Sequence, residues 1–208
     1  MAEIIDFRIH GINRHEPSAM ENRLNDHYER LGIHTVWADV DWEGGEPFHD
    51  MTERLADQVT ALLDDMDPIQ KFVIHAYSAG LCAGLAIDQL LDDPRVRVMA
   101  HSSRVSAGDF PDKSAQSLER CAHLGTSRAS QSFYDGVMYC QEEIIPKLTR
   151  RDKGRMVLTI PYYDEVVPIS TMPIPGVDAV RIWTPGHMPS ISSGLLRAPA
   201  IMRRSGWL

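Results

Sequence analysis

The sequence predicts an α/β protein with a doubly wound, mostly parallel six-stranded sheet and helices on both faces. Short apolar runs of strand length alternate along the chain with stretches in which apolar residues recur at helical spacing. This alternation is typical of strand–helix–strand units, whose strands pair in parallel. The length of 208 residues, with 43% hydrophobic and 24% charged residues, fits one globular domain. We therefore expect residues 1–208 to form a single domain.

The six expected strands are short apolar runs bounded by polar or turn-forming residues. The first strand, for example, ends at Gly11, and the fourth begins just after Pro94. The expected strands are Ile4–His10, Thr35–Val40, Lys71–Ala76, Arg95–Ala100, Met156–Ile160 and Ala179–Trp183.

The expected helices follow from apolar residues at helical spacing and from residues that suit helix ends. The third of them stops before Pro94, because proline disfavours a helical conformation in the residue that precedes it. The expected helices are one opened by a capping box at Ser18–Glu21, one opened by a box at Asp50–Glu53, one from about Ser78 to Leu91, one over about 131–148, and a final one after Ser190 that Pro199 weakens.

The composition excludes several classes of function. The net charge of −8 makes the chain a poor binder of nucleic acid or of an anionic membrane. Cys82, Cys121 and Cys140 are too few and too scattered for a disulfide framework or a zinc site, and their odd number fits a reducing compartment. The chain opens without a signal peptide, and no apolar run approaches the roughly 18 residues of a membrane span. We therefore expect a cytoplasmic protein without integral membrane association.

A serine stands where the third strand is expected to pass directly into a helix. The segment from Ala76 to Gly80, with Ser78 at its centre, leaves no room for a loop. Small residues two positions before and after the serine let the strand and the helix approach closely, so that the hydroxyl is exposed above the sheet at the positive end of the helix dipole. The alternative is that Ser78 only caps a buried helix. The position between strand and helix favours a nucleophile elbow.

Two further residues follow the last two expected strands. A serine nucleophile needs a general base and a group that orients this base. Asp164 follows the fifth strand and His187 follows the sixth, so Ser78, Asp164 and His187 each stand at the carboxyl end of a strand. Carboxyl ends of parallel strands meet at the edge where such sheets bind ligands. The order predicts a catalytic triad, with Glu165 as an alternative to Asp164.

Backbone N–H groups close to Ser78 are expected to stabilise an oxyanion. The residue after the nucleophile, Ala79, is positioned to donate one hydrogen bond. The first strand ends in His10-Gly11, and the glycine allows the backbone to turn toward the elbow and aim a second N–H at the site.

With these residues the sequence resembles the α/β-hydrolase superfamily, and within it the small lid-poor lipases and serine esterases with an A-x-S-x-G elbow. The resemblance extends from the His-Gly turn at 10–11 to His187 in its Gly-His pair. It implies that Ile12 supplies the second oxyanion N–H and that Asp164, in a D-x-V-V-P segment, is the acid. It also implies hydrolysis of the carboxylic ester of a small molecule through an acyl-enzyme, without a cofactor. The chain begins at what would be the family's third strand, so it resembles a minimal version of the fold.

Several alternatives remain open. The same triad serves thioesterases and acyltransferases, and a member of a fold can also bind without catalysis. His10, His75 and His101 lie at or near the ends of neighbouring strands, where three histidines are candidates for a metal site. No metal-ligand spacing supports them, and we expect no metal. Asp109, after the fourth strand, is a further candidate acid.

The segment 102–150 is longer than a single crossover requires and is expected to contain two or three helices. It lies between the fourth and fifth strands, from where it can fold over the carboxyl edge of the sheet. We expect a small helical insert over the site. Its apolar residues either face an apolar substrate or pack on the sheet, and they are Phe110, Leu118, Leu124, Phe133, Tyr134 and Met138.

Overall fold

The computed structural model describes residues 4–12, 19–42, 44–107 and 131–208. Their strands are β1 (Ile4–Ile9), β2 (Ile33–Trp37), β3 (Lys71–Tyr77), β4 (Val96–His101), β5 (Met156–Pro161) and β6 (Asp178–Ile182). The strands form one sheet in the order β2-β1-β3-β4-β5-β6, and every neighbouring pair is parallel. All six expected strands are therefore confirmed, with ends shifted by up to three residues.

Helices cover both faces of this sheet. The α-helices of the described residues are α1 (Ala19–Glu29), α2 (Phe48–Asp64), α3 (Gly80–Leu91), α4 (Gln131–Tyr139), α5 (Arg150–Lys153) and α6 (His187–Arg204). Helices α1 and α6 pack on one face, whereas α2, α3 and α4 pack on the other. The doubly wound α/β fold that the sequence predicts is thus confirmed. None of the helices in the described ranges combines the length and apolarity needed to cross a bilayer.

The strand order creates a crevice at the carboxyl ends of β1 and β3. From β1 the chain first adds β2 on one side and then adds β3 to β6 on the other, and ligands bind such sheets where the order reverses. Ile9 on β1 pairs with Ala76 on β3, so Gly11 comes opposite Ser78, each two residues beyond this pair. The pairing register therefore brings the His-Gly turn against the expected nucleophile.

The interior is built around β3 and α3. Every residue of β3 after Lys71 is buried, and so is the first part of α3, from Gly80 to Asp88. A parallel strand covered by helices on both faces has to be apolar on both faces, which explains the nearly continuous apolar run at 72–77. The expected nucleophile elbow thus lies between a buried strand and the buried first part of a helix.

Helix α6 begins at His187, earlier than the predicted start after Ser190, and it continues through Pro199, the residue predicted to weaken it. A proline inside a helix removes the N–H that would bond to the carbonyl oxygen four residues earlier, here that of Leu195. The buried Tyr28 hydroxyl on α1 donates a hydrogen bond of 2.5 Å to this same oxygen. The replacement donor comes from 167 residues away, so helical periodicity alone cannot predict it.

Two predictions of helix ends are wrong in detail. Helix α2 begins at Phe48, before the expected capping box at Asp50, because the N–H of Met51 bonds to the carbonyl oxygen of Pro47 and the Phe48 side chain is buried. The helix expected over 131–148 is α-helical only as far as Tyr139. It continues as a π-helical turn (Cys140–Ile144) and a 3-10 turn (Ile145–Lys147), where Pro146 lacks the N–H of a regular helix.

Several sequence predictions concern residues that lie outside the described ranges. These residues are Ser18, Phe110, Leu118, Leu124, Cys121 and Asp109. In the described part of 102–150, Phe133 on α4 meets Trp42 edge to face with ring centroids 6.2 Å apart. Gly136 lies against the ring of Phe48, so α4 packs on the start of α2. That the segment 102–150 covers the site stays a prediction.

Candidate active site

Ser78 occupies a sharp turn between β3 and α3. Its φ of 56° lies in the left-handed region, which a residue other than glycine adopts only when its surroundings enforce it. Its backbone N–H donates to the carbonyl oxygen of His101 at the end of β4, at 3.1 Å. No side chain caps the N-terminus of α3, so the alternative of a simple capping serine is not what the structure contains. The Ser78 hydroxyl is turned toward His187 instead.

Glycines in α3 provide the space that this turn requires. A Cβ at Gly80 would overlap the carbonyl oxygen of Ile9, so the position two residues after Ser78 has to be glycine. The position two residues before it holds Ala76, where many elbows have glycine. A Cβ at Gly84 would lie 3.7 Å from the Ala76 Cβ and 3.0 Å from a methyl carbon of Ile74. A side chain at 84 would therefore crowd Ile74, whereas its contact with the Ala76 methyl group would be an ordinary one.

The structure brings Ser78, His187 and Asp164 into one chain of hydrogen bonds. His187 Nε2 lies 3.0 Å from Ser78 Oγ, and His187 Nδ1 lies 2.8 Å from Asp164 Oδ2. The other carboxylate oxygen of Asp164 accepts hydrogen bonds from the N–H groups of Val166 and Val167, at 2.9 and 2.8 Å. With Nδ1–H donated to the carboxylate, Nε2 is free to accept the serine proton, which is the arrangement that a general base requires.

Glu165 contacts the backbone of His187 and not the imidazole ring, which an alternative acid would have to contact. Its Oε2 accepts a hydrogen bond of 3.0 Å from the backbone N–H of His187, the first residue of α6. Gly186, with φ of 94°, forms the turn before this helix, and its N–H donates to the carbonyl oxygen of Tyr163. The loop after β5 therefore holds both the imidazole ring and the backbone of His187.

The His-Gly turn after β1 lies directly against Ser78. A Cβ at Gly11 would come within 2.7 Å of Ser78 Cβ, 3.0 Å of Ser78 Oγ and 3.5 Å of the Ala79 nitrogen. Trp42 Nε1 donates to the carbonyl oxygen of His10 at 3.0 Å, and the His10 ring lies 2.9 Å from the Gly11 oxygen. Ile12 follows this fixed turn. The expected oxyanion donors Ile12 and Ala79 thus belong to the two backbone segments that meet at Ser78.

A buried polar layer lies beneath the elbow on the α1/α6 face. His75 Nδ1 lies 2.8 Å from Asp6, the His75 and His101 rings meet at 2.5 Å through their Nε2 atoms, and His101 Nδ1 lies 2.6 Å from Thr159 Oγ1. Burial alone would raise the pKa of Asp6, but His75 and Arg8 lower it to about 2. Burial and the neighbouring His75 lower the pKa of His101 well below its ordinary value, so this ring is neutral.

This layer also sets how closely α6 approaches the sheet. Gly194 on α6 lies on the His101 ring, and a Cβ at this position would overlap the ring. Since α6 begins at His187, its seating on His101 contributes to the position of the candidate base. His75 and His101 are thus bonded to Asp6, Thr159 and each other, and in the described ranges no three His, Cys, Asp or Glu side chains are grouped as a metal ion would require.

Comparison with known proteins identifies the fold. No protein-family model matches the chain, and no curated protein matches it significantly in sequence. Many solved structures match it along nearly its whole length. One, of the metagenome-derived lipolytic enzymes LipS and LipT, has a TM-score of 0.66 at 14% identity and covers 98% of this chain and 94% of its own. Est1E from Butyrivibrio proteoclasticus has a TM-score of 0.60 at 13% identity, with coverages of 98% and 88%.

A third similar structure is the monoacylglycerol lipase of Paleococcus ferrophilus, with a TM-score of 0.59 at 12% identity and coverages of 97% and 93%. Together with the parallel sheet and its strand order, these similarities show that the chain has the α/β-hydrolase fold, as its sequence resemblance implies. The sheet has six strands in the described residues, which fits the expected minimal version.

Proposed function

We propose that the protein is a serine hydrolase that cleaves a carboxylic ester of a small molecule. The observation that carries the proposal is the hydrogen-bond chain from Ser78 through His187 to Asp164, at the carboxyl edge of the sheet. The esterases and lipases among the similar structures support the same class of activity. The roles of nucleophile, general base and orienting acid fall to these three residues in the same order.

In the acylation step, Ser78 Oγ attacks the ester carbonyl carbon while His187 Nε2 accepts the hydroxyl proton. Asp164 keeps the imidazole in the required tautomer and stabilises the imidazolium. The carbonyl oxygen becomes an oxyanion, which accepts hydrogen bonds from the N–H groups of Ile12 and Ala79. When the tetrahedral intermediate collapses, the C–O bond to the alcohol breaks, and His187 gives its proton to the departing oxygen. The product of this step is an acyl ester on Ser78.

In the deacylation step, a water molecule takes the place of the alcohol. His187 Nε2 accepts a proton from the water as its oxygen attacks the acyl carbon, and the same two N–H groups stabilise the second oxyanion. The bond to Ser78 Oγ then breaks, and His187 returns the proton to the serine. The carboxylic acid leaves, and the enzyme is restored without a cofactor.

The proposed location is the reducing cytoplasm. Cys82 and Cys140, the cysteines within the described ranges, are buried thiols, and burial holds the pKa of Cys140 well above its ordinary value. Both therefore pack as small apolar side chains, as the sequence predicts for Cys82.

A fluorophosphonate probe tests the nucleophile. We expect a single adduct, which peptide mapping places on Ser78, and no adduct in Ser78→Ala. Ser193→Ala, which removes a half-buried hydroxyl of α6 outside the hydrogen-bond chain, is the matched control and should be labelled like the wild type. Labelling that persists in Ser78→Ala would show that another residue is the nucleophile.

A series of p-nitrophenyl esters of increasing acyl length, run beside a matched thioester, tests the substrate class. Ester cleavage should exceed thioester cleavage after correction for the uncatalysed rates, and both activities should disappear in Ser78→Ala. A preference for the thioester would favour the thioesterase alternative.

A further inference from the structure

Exposed apolar side chains cluster on the loops that follow β5 and β6. Nine large hydrophobic side chains are exposed in the described part of the chain. Five of them lie between residues 162 and 188: Tyr162, Tyr163, Val166, Trp183 and Met188. Scattered apolar residues are ordinary on a protein surface, whereas a contiguous group of them marks a binding site.

Two of these side chains form one wall of a surface cavity. The rings of Tyr162 and Trp183 stack with centroids 5.7 Å apart and planes inclined by 22°, although the two residues are 69% and 75% exposed. The Tyr162 N–H donates to the carbonyl oxygen of Ile182 at 2.9 Å, which fixes the start of the loop after β5 to the end of β6. The cavity has a volume of 350 Å³, within the range of small-molecule sites. The wall therefore exists before any ligand binds.

Arg181 is the charged residue that lines this cavity, beside Ile169 and Ile182. It forms no hydrogen bond or ion pair with the described residues, whereas Arg8, Arg54 and Arg155 each face a carboxylate. The cavity thus combines an apolar aromatic wall with one cation that has no counter-ion among the described residues.

The geometry points to a second binding site, which takes a small aryl carboxylate. The aromatic ring of the ligand would lie against the exposed face of the Tyr162–Trp183 stack, and its carboxylate would accept hydrogen bonds from the planar guanidinium of Arg181. Ser78, Asp164 and His187 do not line the cavity, so the site is separate from the hydrogen-bond chain described above.

Both halves of such a ligand are needed for recognition. An inorganic anion would leave the aromatic wall uncovered, and an exposed arginine alone binds an anion only weakly. A neutral aromatic compound would leave the cation without a partner. The site therefore selects for a planar apolar body with one negative charge at its edge.

The indole N–H signals of the protein can locate binding without any activity. The chain has four tryptophans, of which Trp42 and Trp207 are buried and Trp183 is exposed. In a two-dimensional ¹H–¹⁵N spectrum, the Trp183 signal is assigned by its loss in Trp183→Phe. Titration with benzoate should shift this signal with saturation below about 10 mM, and it should leave the signals of Trp42 and Trp207 in place.

Matched ligands and variants separate the two contributions. Benzyl alcohol, which lacks the charge, and acetate, which lacks the ring, should each bind at least about fivefold more weakly than benzoate. Arg181→Gln should weaken benzoate binding by about fivefold, the size expected for one exposed charge-assisted contact. Arg197→Gln, which removes an exposed arginine from α6, is the control and should bind benzoate like the wild type.

Four results would overturn the site. The first is that benzoate causes no saturable shift of the Trp183 signal, and the second is that Arg181→Gln binds benzoate as well as the wild type does. The third is that acetate binds as well as benzoate. The fourth is that the Trp183 signal shifts with protein concentration when no ligand is present. The last result would show that a second copy of the chain covers this face. The readout is a spectrum of the unreacted protein, so the test of this site does not depend on whether the protein hydrolyses esters.

Discussion

The carboxylate of Glu165 accepts a hydrogen bond from the backbone N–H of His187, at 3.0 Å. This N–H is the first of helix α6 and has no partner within the helix. A negative charge at this end is also favoured by the helix dipole. Asp164, the preceding residue, bonds to the imidazole of the same histidine. Two adjacent acidic residues therefore fix the backbone and the ring of the candidate base, and only Asp164 bonds to the ring.

Removal of the Glu165 contact should lower kcat more than it changes KM. In Glu165→Ala the start of α6 loses a hydrogen bond to a charged acceptor, worth about 1.5–3 kcal/mol when intact, and His187 becomes less well placed relative to Ser78. We expect kcat for a p-nitrophenyl ester to fall by about tenfold. Glu165→Gln keeps an oxygen that can accept the same bond and should retain most of the rate. Equal losses in the two variants would contradict the hydrogen-bond explanation.

The triad variants should not have additive effects. Ser78→Ala, His187→Ala and the double variant should lose similar activity, because each change disables the same proton transfer. Asp164→Asn should lose at most as much as His187→Ala, since the base remains but its ring can adopt the wrong tautomer. The measurement is kcat/KM on one ester for the wild type and the four variants. If Asp164→Asn keeps the full rate, Asp164 is not the acid.

Gly11→Ala should impair catalysis. The added methyl group would press on Ser78 Cβ and Oγ, at 2.7 and 3.0 Å, and would also crowd the Ala79 N–H. We expect kcat/KM to fall by at least about tenfold, the effect of displacing an oxyanion donor or the nucleophile. Gly154→Ala, where φ is −69° and a Cβ would make ordinary contacts at 3.4 and 3.5 Å, controls for a glycine replaced away from the site. An active Gly11→Ala enzyme would contradict the close approach of the turn.

The sequence contained enough to predict the sheet and the three residues that meet at its edge. Strand and helix periods are local, and Ser78, Asp164 and His187 each lie within five residues of the end of a strand, so their convergence follows from parallel pairing. The contacts that the sequence did not predict join residues far apart in the chain. The Glu165–His187 bond is one example, and the Tyr28 bond to the helix at Pro199 is another. Neither leaves a periodic pattern.

Tyr28→Phe should destabilise the fold without altering the candidate site. The change removes the hydroxyl that donates to the Leu195 carbonyl, which Pro199 has left without a helical donor. A buried carbonyl without a partner costs about 1–3 kcal/mol, and the free energy of unfolding should fall by this amount. In Tyr28→Phe combined with Pro199→Ala, the helix regains its own N–H and should recover much of the loss. Failure of the double variant to recover would show that the hydroxyl acts elsewhere.

Asp88→Asn should change how stability depends on pH. Burial in α3 is the main cause that raises the pKa of Asp88 to about 6, and the nearby Asp152 and Asp92 add to it while Arg155 opposes them. Neither carboxylate oxygen has a hydrogen-bond partner among the described residues, and the closest Arg155 nitrogen is 3.6 Å away. An ordinary aspartate has a pKa of 3.8, so between about pH 4 and 6 the folded state holds a proton that the unfolded state has lost.

This proton therefore stabilises the folded wild type by at most about 3 kcal/mol. The stabilisation is fully present below pH 4 and is lost as the pH rises through 6. Asp88→Asn cannot titrate, so its stability relative to the wild type should rise by about 1–3 kcal/mol between pH 4.5 and pH 7.5. Urea unfolding at the two pH values measures the difference. Asp57→Asn, which removes an exposed charge from α2, is the control for the effect of losing one carboxylate on the pH dependence of stability. If the free energies of unfolding of the wild type and of Asp88→Asn change in parallel with pH, Asp88 is ionised throughout this pH range in the folded protein.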